Sequence, residues 1–263
     1  MPTAKQRVLI TGAEGTIGTI LRQHLADRYH LSALTRDPAP FPSHVADVAD
    51  LEAIAPAFAG VDAVVHLAAS SAVETPWAEI LPNNLVGTYN AFEAARRAGV
   101  GTVVFASSNH TIGGYELDGA PDLYELDDPR AYDHAAELRP DSLYGVSKVY
   151  GEALGRLYAD QYGLRVVCLR IGSVRAEDNP TSPSVLTSGP AMLQGLTPEQ
   201  RRKRMRATYL SHRDCAQLVS RALDAADVRF AVVYGISNNP RQFWDISHAR
   251  EVLGYAPQDA APE

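Results

Sequence analysis

The stretch Val8-Leu9-Ile10-Thr11-Gly12-Ala13-Glu14-Gly15-Thr16-Ile17-Gly18 decides the fold, because it joins a short apolar run to a glycine-rich turn that opens a helical pattern. In this G-x-x-G-x-x-G spacing, Gly12 allows a tight turn and Gly15 lets backbone N–H groups approach a pyrophosphate, while Gly18 lets the helix pack on the strand. The stretch predicts a dinucleotide site, and the alternative is a glycine-rich turn without a ligand. The residues expected to contact the dinucleotide here are Gly12, Gly15, Thr16, Ile17 and Gly18.

Short apolar runs alternate with helical patterns along the chain. This order of buried strand and covering helix indicates βαβ units, so we predict the α/β class, a Rossmann-type doubly wound parallel sheet with a small C-terminal substrate lobe. Gly99 and Gly163 each follow a helical pattern at the place where a C-terminal cap is expected. The predicted strands and helices are Arg7–Ile10, Thr16–Tyr29, Leu31–Leu34, Ala63–Leu67, Trp77–Ala98, Thr102–Ala106, Ser142–Tyr162 and Arg165–Ile171.

The length of 263 residues and the hydrophobic share of 46% suit one extended domain. Within it we expect residues 1–171 to form mainly the dinucleotide-binding core, and residues 172–263 to form mainly the substrate lobe and the C-terminal elements. The net charge of −7 and the pI near 5.6 argue against nucleic acid or an anionic membrane as the main partner. Acidity of this size is ordinary for a soluble protein.

The two cysteines give no sign of a disulfide or a metal site. Cys168 lies in an apolar run and Cys215 in a helical pattern, without metal-ligand spacing, and the histidines lack spacing such as His-x-x-x-His. The apolar run Val8-Leu9-Ile10 is too short for a signal peptide, and no stretch approaches the ~20 apolar residues of a membrane span. We therefore expect a reduced, cytoplasmic protein without a metal.

Two long segments, 107–141 and 172–206, carry no clear secondary-structure pattern. Loops of this length inside a compact domain are usually functional or mobile. Both segments follow predicted strands at their C-terminal ends, which is the edge where open α/β sheets bind ligands. We expect these segments to border the substrate site.

The end of the second strand bears on the choice between NAD and NADP. An acidic residue there accepts hydrogen bonds from the ribose 2′-hydroxyl, whereas an arginine accommodates a 2′-phosphate. Thr35 stands in the place of the expected acid and Arg36 follows it, which favours NADP over NAD. Arg36 could instead be a solvated cation paired with Asp37. Further along, Asp47 and Val48 are expected at the adenine, although Asp47 could equally cap the helix that begins near residue 50.

Tyr144 and Lys148 form a Y-x-x-x-K pattern in a predicted helix. Four residues apart, both side chains lie on one helix face, so the ammonium can act on the phenol. A neighbouring cation and a cationic nicotinamide ring favour the phenolate, which could then take a proton from a hydroxyl. Taken alone, such a pattern is also typical of a solvated helix face, so its meaning depends on the other motifs.

Together with the glycine loop, three runs resemble the extended short-chain dehydrogenases/reductases over nearly the whole chain: Val64-Val65-His66-Leu67-Ala68-Ala69, Phe105-Ala106-Ser107-Ser108 and Tyr144-Gly145-Val146-Ser147-Lys148. Within that group, the chain resembles uronate dehydrogenase and related sugar 1-dehydrogenases, which turn an aldose into a lactone. The runs that carry this narrower resemblance are Phe105-Ala106-Ser107-Ser108-Asn109-His110-Thr111-Ile112-Gly113, Arg170-Ile171-Gly172-Ser173 and Tyr209-Leu210-Ser211-His212-Arg213-Asp214. Similar enzymes oxidise L-arabinose or glucose 6-phosphate, so the resemblance indicates the class of substrate and not one sugar.

The resemblance also implies roles for individual residues. Ser108 matches the catalytic serine, Tyr144 the base and Lys148 its partner, and no metal takes part. Ser108 could otherwise merely end a strand by bonding its own backbone. The further substrate-contacting positions are Ser71, Asn109, His110, Ser173 and Arg204. The further cofactor-contacting positions are Leu67, Ala68, Ala69 and Ile171.

Several of these side chains have a second interpretation. Arg204 lies in the basic run 201–206, which is either a solvated face or the source of an arginine that clamps a C6 carboxylate or phosphate. We favour the clamp and hence an anionic sugar. The carboxylates between Glu116 and Asp133 are expected to form a solvated flap, and His66 is expected to be structural. Two departures from uronate dehydrogenases are a longer segment before Arg204 and a chain that ends before their closing tail.

Two other functions are compatible with parts of the same pattern. A sugar-nucleotide epimerase or dehydratase uses the same Ser/Tyr/Lys set but usually has a larger C-terminal lobe. A nucleotide-sensing protein would have a vestigial site, which the intact Ser108, Tyr144 and Lys148 disfavour. The sequence also favours a homo-oligomer, because the helices predicted at Trp77–Ala98 and Ser142–Tyr162 could pair across a two-fold axis.

Overall fold

The computed structural model describes residues 5–184 and 194–262 and has one parallel sheet at its centre. Seven strands follow the order β3-β2-β1-β4-β5-β6-β7, and every neighbouring pair is parallel. The order reverses at β1, which is where open α/β sheets bind ligands. The strands are β1 Arg7–Thr11, β2 His30–Thr35, β3 His44–Val45, β4 Ala63–His66, β5 Thr102–Ser108, β6 Arg165–Ile171 and β7 Phe230–Gly235.

Helices cover both faces of the sheet, because the central strands are apolar on both sides. All four residues of β4 and all seven of β5 are buried. Residues of β1 alternate between the two layers: Ile10 packs with helices α1 and α8, and Leu9 packs with α4 and α6. The helices are α1 Thr16–Leu25, α2 Leu51–Ile54, α3 Trp77–Glu79, α4 Gly87–Arg97, α5 Gly113–Gly119, α6 Leu143–Tyr162, α7 Pro198–Thr208, α8 His212–Asp224 and α9 Ser247–Leu253.

The predicted fold class is confirmed, and the element boundaries differ in places. Helix α1 ends at Leu25 instead of Tyr29, because the chain turns there. The helix predicted at Trp77–Ala98 is continuous but contains a π-helical segment, Ile80–Val86, between α3 and α4. Gly99 and Gly163 take left-handed φ angles of 72° and 75° just beyond α4 and α6, as expected of C-terminal caps.

The two long segments without a sequence pattern contain short helices. The first holds a 3₁₀ turn at Asn109–Ile112, helix α5 and a second 3₁₀ turn at Asp122–Tyr124. The second ends in α7, whose N-terminus is closed by a capping box between Thr197 and Gln200. Its residues 185–193 lie outside the described part. None of the helices in the described ranges is long and apolar enough to cross a membrane.

Candidate active site

A cavity of about 710 Å³ opens at the C-terminal edge of the sheet, between the glycine loop and α7. Its size falls within the range of small-molecule and cofactor sites. The ends of β1, β4, β5 and β6 supply its floor, and α6 supplies one wall. Every residue that the sequence singled out for the site lines this cavity, with the exception of Thr35.

The glycine loop has the geometry of a phosphate cradle. Gly12 has a φ of 68°, and a Cβ there would lie 2.9 Å from the backbone of Ala68. A Cβ on Gly18 would lie 2.6 Å from the carbonyl oxygen of Gly12, so the helix packs directly on the turn. Gly15 is the extended N-cap of α1 without a side-chain cap, which leaves the first N–H groups of the helix to bind an anion. These residues fit a dinucleotide pyrophosphate.

The end of β2 presents Arg36 to the cavity and turns Thr35 away from it. Thr35 is fully buried, and its hydroxyl lies 2.9 Å from the Ser43 hydroxyl. The expected contact between Thr35 and the cofactor is therefore wrong, because successive strand residues face opposite sides. Arg36 is exposed, and its Nε lies 3.5 Å from the Asp37 carboxylate, so this weak pair leaves the guanidinium available at the cavity wall.

Asp47 and Val48 line the cavity beside Arg36. Asp47 accepts a hydrogen bond of 2.8 Å from the backbone N–H of Ala49, and it does not cap α2. Asp50 is the N-cap and accepts from the first turn of that helix. Asp47 is thus left at the edge of the cavity, where an adenine amine could meet it.

Ser108, Tyr144 and Lys148 line the same cavity. Ser108 is the last residue of β5, while α6 carries Tyr144 and Lys148 one turn apart. Ser142 fixes the start of α6, because its hydroxyl accepts a 3.0 Å hydrogen bond from the N–H of Gly145. Burial raises the pKa of Tyr144 to about 12, while the Ser108 side chain works in the opposite direction and the Asp141 carboxylate raises the pKa further. In the protein chain alone this phenol is protonated at neutral pH.

Lys148 differs from its expected role in one respect. Its Nζ lies 5.4 Å from the centre of the Tyr144 ring and 5.1 Å from that of Phe105. Burial lowers the pKa of the ammonium to about 8, and burial also dominates the pKa of the phenol. In the chain alone, the pKa of the phenol is set by burial, Ser108 and Asp141, and the expected depression by Lys148 is not seen.

Asp141, which the sequence did not single out, holds His110 in the cavity wall. His110 Nδ1 lies 2.6 Å from Asp141 Oδ2, and the carboxylate is almost fully buried. The His110 ring stands edge-on to Tyr144, with centroids 5.8 Å apart. Gly113 leaves room for this carboxylate, since a Cβ there would lie 1.7 Å from Asp141 Oδ2. The pair fixes the orientation of the imidazole towards the cavity. The role of Asp141 is seen only from this contact, because Asp141 lies 31 residues from His110 in the sequence.

Asn84 is a second structural residue that no sequence pattern indicated. It lies in the π-helical segment and is buried. Its side-chain oxygen accepts from the N–H of Ser70 at 2.8 Å, and its nitrogen donates to the hydroxyl of Ser147 at 3.0 Å. Asn84 therefore ties the loop after β4, which carries Ser71, to the helix that carries Tyr144.

Arg204 lines the cavity, but its charge is already paired. Its Nε lies 2.6 Å from Glu116 Oε1, and its Nη2 lies 3.3 Å from Glu116 Oε2. Both side chains are buried. The expectation that the carboxylates from Glu116 onward form a solvated flap is therefore wrong for Glu116, because α5 folds inward against α7. Ser173 also lies in the wall, 2.8 Å from the hydroxyl of Thr208.

His66 has the structural role expected of it. It is buried at the end of β4, with Nδ1 2.8 Å from the Thr11 hydroxyl and Nε2 3.4 Å from the Thr88 hydroxyl. Burial lowers its pKa to about 3, with a smaller effect from Lys148. The ring is neutral at physiological pH and does not line the cavity.

Comparison with known proteins identifies relatives along almost the whole chain. The profile of the NAD dependent epimerase/dehydratase family matches residues 8–233. An NAD-dependent glucose-6-phosphate dehydrogenase of Haloferax volcanii is 39% identical, and the match covers 98% of this chain and 95% of the relative. A uronate dehydrogenase of Pseudomonas syringae pv. tomato is 38% identical over 98% of this chain and 84% of its own length. An L-arabinose 1-dehydrogenase (NAD(P)(+)) of Haloferax volcanii is 37% identical over 96% of both chains.

A solved structure agrees with these sequence matches. A variant of uronate dehydrogenase from Agrobacterium tumefaciens, complexed with NAD, superposes with a TM-score of 0.76 at 34% identity. The match covers 97% of this chain and 86% of that one. The similarity thus includes the sheet and the edge at which the cavity opens.

Proposed function

This chain belongs to the NAD-dependent epimerase/dehydratase family of extended short-chain dehydrogenases/reductases, and we propose that it oxidises the C1 hydroxyl of a sugar with NAD(P). The observation that carries the proposal is the meeting of Ser108, Tyr144 and Lys148 in one cavity with the glycine loop. Relatives of similar length that act on aldoses or uronic acids support the same reaction class. The product is the sugar lactone.

The protein side chains divide the work of the oxidation. Ser108 hydrogen-bonds the C1 hydroxyl and holds it against Tyr144, whose phenolate accepts the hydroxyl proton as the C1–O bond becomes a carbonyl. Lys148 keeps its positive charge beside the phenolate and stabilises it. The nicotinamide cofactor, when bound, accepts the hydride from C1 and brings a cationic ring that favours the phenolate. His110, held by Asp141 beside Tyr144, orients a sugar hydroxyl.

We infer that Arg36 favours NADP over NAD, although both cofactors fit the cradle. Its guanidinium lies at the cavity wall after β2, where a 2′-phosphate would sit. An acidic side chain at the Thr35 position would bond the ribose of NAD, but Thr35 is neutral and faces away. The same family includes enzymes that use NAD and others that use NAD(P).

The direct test follows the absorbance of reduced cofactor with D-galactose, L-arabinose, D-galacturonate, D-glucuronate and glucose 6-phosphate, each with NAD and with NADP. The proposal expects turnover with at least one of these sugars. UDP-galactose serves as the control for the other activity of the family. Its conversion to UDP-glucose without net cofactor reduction, and no oxidation of free sugars, would replace the proposal with an epimerase.

We further propose that the protein is a homo-oligomer. Helices α3 and α4 with the π-helical segment expose Trp77, Leu81 and Tyr89, and α6 exposes Val146 and Leu157. Apolar side chains repeated on two neighbouring helices suit a contact with a second copy across a two-fold axis.

Analytical ultracentrifugation tests this assembly. Leu157→Arg places a charge on the proposed contact and is expected to give monomers. Leu126→Arg is the matched control, because Leu126 is an exposed apolar residue on another part of the surface. Monomeric wild-type protein at micromolar concentration would contradict the assembly.

The remaining expectations complete the proposal. We expect a cytoplasmic protein, since the two buried cysteines are free thiols and suit a reducing compartment. The partner is a small sugar, and the acidic net charge disfavours nucleic acid. Residues 1–263 form one domain, in which the substrate lobe comes mainly from the chain beyond residue 171.

A further inference from the structure

The sugar end of the cavity contains an internally neutralised arginine. Arg204 reaches the cavity from α7, and its guanidinium bonds the two oxygens of Glu116 at 2.6 and 3.3 Å. Tyr124 donates a hydrogen bond of 2.9 Å to Glu116 Oε1 and so fixes the carboxylate from a third direction. The geometry is that of a bidentate ion pair, the tightest arrangement between these two groups.

Because the pair between Arg204 and Glu116 is buried, it affects which substrate charges the site can accept. The side chains of Arg204 and Glu116 are only 10% and 4% exposed, so water screens them little. Together they carry no net charge. A sugar carboxylate or phosphate that bonded Arg204 would add a second anion beside one guanidinium, and the buried group would become negative. Repulsion from Glu116 would then oppose the anion that the arginine attracts.

A neutral sugar meets no such opposition. The guanidinium has five N–H donors, and the bonds to Glu116 come from Nε and Nη2, so further donors can meet sugar hydroxyls. Glu116 itself does not line the cavity, so the ligand meets only the arginine of the pair. The paired guanidinium thus presents hydrogen-bond donors to a polar, uncharged ligand, while Glu116 balances its charge from behind.

The other arginines of the cavity wall do not change this balance. Arg36 lies after β2, on the side of the expected cofactor ribose. Arg175 bonds the Ser184 hydroxyl at 2.8 Å and has the carboxylate of Glu177 3.9 Å from its Nε. Arg36 and Arg175 each have a carboxylate of their own close by. The charge of Arg204 is balanced by Glu116.

We propose that Glu116 determines specificity by neutralising Arg204, so that the site selects neutral aldoses over uronates and sugar phosphates. This inference rests on the proposed function, and it replaces the anionic sugar that the basic run 201–206 favoured. Glu116 lies in the long segment after β5, far from the Tyr144 motif in sequence. The substrate class is therefore set by a contact across 88 residues.

The test compares D-galactose with D-galacturonate, which differ only at C6. Wild-type protein is expected to show a kcat/KM at least ~10-fold higher for D-galactose, a ratio typical of one unfavourable charged contact. In Glu116→Gln the amide keeps hydrogen-bonding capacity but loses the charge, so Arg204 becomes a free cation. The galactose-to-galacturonate ratio is expected to fall at least ~10-fold, through a gain on galacturonate.

Glu125→Gln is the matched control for this variant. Glu125 pairs with Lys203 at 2.6 Å, next to Arg204 in sequence, but both side chains are more than a third exposed. Removing that charge changes the net charge of the protein equally and is expected to alter the ratio less than ~3-fold, because solvent screens the exposed pair. The comparison separates the buried contact from a general change in surface charge.

The outcomes separate the inference from the function on which it rests. A wild-type preference for D-galacturonate or glucose 6-phosphate, or a ratio that Glu116→Gln leaves unchanged, overturns the inference while the dehydrogenase assignment stands. Oxidation of none of the sugars overturns the proposed function and the inference with it. If Glu116→Gln does not fold, the wild-type ratio alone decides, since a preference for galacturonate contradicts a neutralised Arg204.

Discussion

At the scale of single residues, burial governs the chemistry of the active site. It raises the pKa of Tyr144 to about 12 and lowers that of Lys148 to about 8. Both shifts disfavour charge, so the chain alone holds a neutral phenol and an ammonium that loses its proton at mildly alkaline pH. The positive nicotinamide ring of the oxidised cofactor, when bound, would favour the phenolate and so assist proton removal.

Replacing Tyr144 with phenylalanine removes the proton acceptor and little else. We expect kcat to fall at least ~100-fold, in line with general-base contributions, while cofactor affinity changes little. Steady-state kinetics and a cofactor fluorescence titration measure the two quantities. Tyr150→Phe is the control, since Tyr150 lies on the same helix but not in the cavity wall. Near-normal kcat in Tyr144→Phe would remove the proposed base.

Arg36 alone is expected to decide the preference for NADP. Since Thr35 faces Ser43, the informative change is Arg36→Leu, which removes the cation from the cavity wall. The ratio of kcat/KM for NADP over NAD should fall by the equivalent of roughly 1–3 kcal/mol, the scale of charge-assisted contacts. A ratio equal to that of the wild type would mean that Arg36 points into solvent.

At the scale of secondary-structure elements, His66 joins three of them. It ends β4 and contacts Thr11 at the end of β1 and Thr88 on α4. Its pKa is lowered from 6.5 to about 3 by burial, so the native ring is neutral while the unfolded chain takes up a proton below about pH 6.5. The unfolded state then binds more protons, and stability falls as the pH drops from 6.5 towards 3.

This titration predicts a measurable pH dependence of stability. His66 should contribute a slope of up to ~1.4 kcal/mol per pH unit below pH 6.5. His66→Gln removes the titrating group and keeps a hydrogen-bonding side chain, so its free energy of unfolding should decline less between pH 6.5 and pH 4.5. Denaturant melts of both proteins give the difference. Parallel pH profiles would show that the buried ring is not the source.

The sequence predicts elements whose signal is local and misses those that depend on distant contacts. Buried β-branched runs and the glycine turn define the parallel sheet, and such a sheet brings Ser108 and Tyr144 to one edge. The strand pattern did not show which side of the sheet the Thr35 side chain faces, because a shift of one residue reverses the side. Asp141 acts through His110, and Glu116 acts through Arg204. No local sequence pattern indicates a partner so far along the chain.

At the scale of the whole molecule, the cofactor is expected to act as a stabilising ligand. Binding to the native state alone adds about 2.7 kcal/mol at a ligand concentration of 100 times Kd. For a chain of this size the gain corresponds to a rise in Tm of roughly 5–10 °C. Differential scanning fluorimetry with NADP and with NAD measures it.

Gly15→Asp tests whether the glycine loop is the place of binding. Gly15 has an ordinary extended φ, and a Cβ there would meet only the carbonyl oxygen of Gly12 at 3.4 Å, so the fold should tolerate a side chain. A carboxylate at that position would repel the pyrophosphate. We expect a Tm close to that of the wild type without cofactor and no rise on adding it. An undiminished rise would place the dinucleotide elsewhere.

The central claim is hydride transfer from C1 of a sugar, and D-galactose deuterated at C1 tests it most directly. Wild-type protein is incubated with the deuterated sugar and oxidised cofactor, and the reduced cofactor and the sugar product are analysed by mass spectrometry. We predict one deuterium on each reduced cofactor and an equal amount of galactonolactone or its hydrolysis product. Reduced cofactor without deuterium, or deuterium retained at C1 of all sugar recovered, would contradict the account.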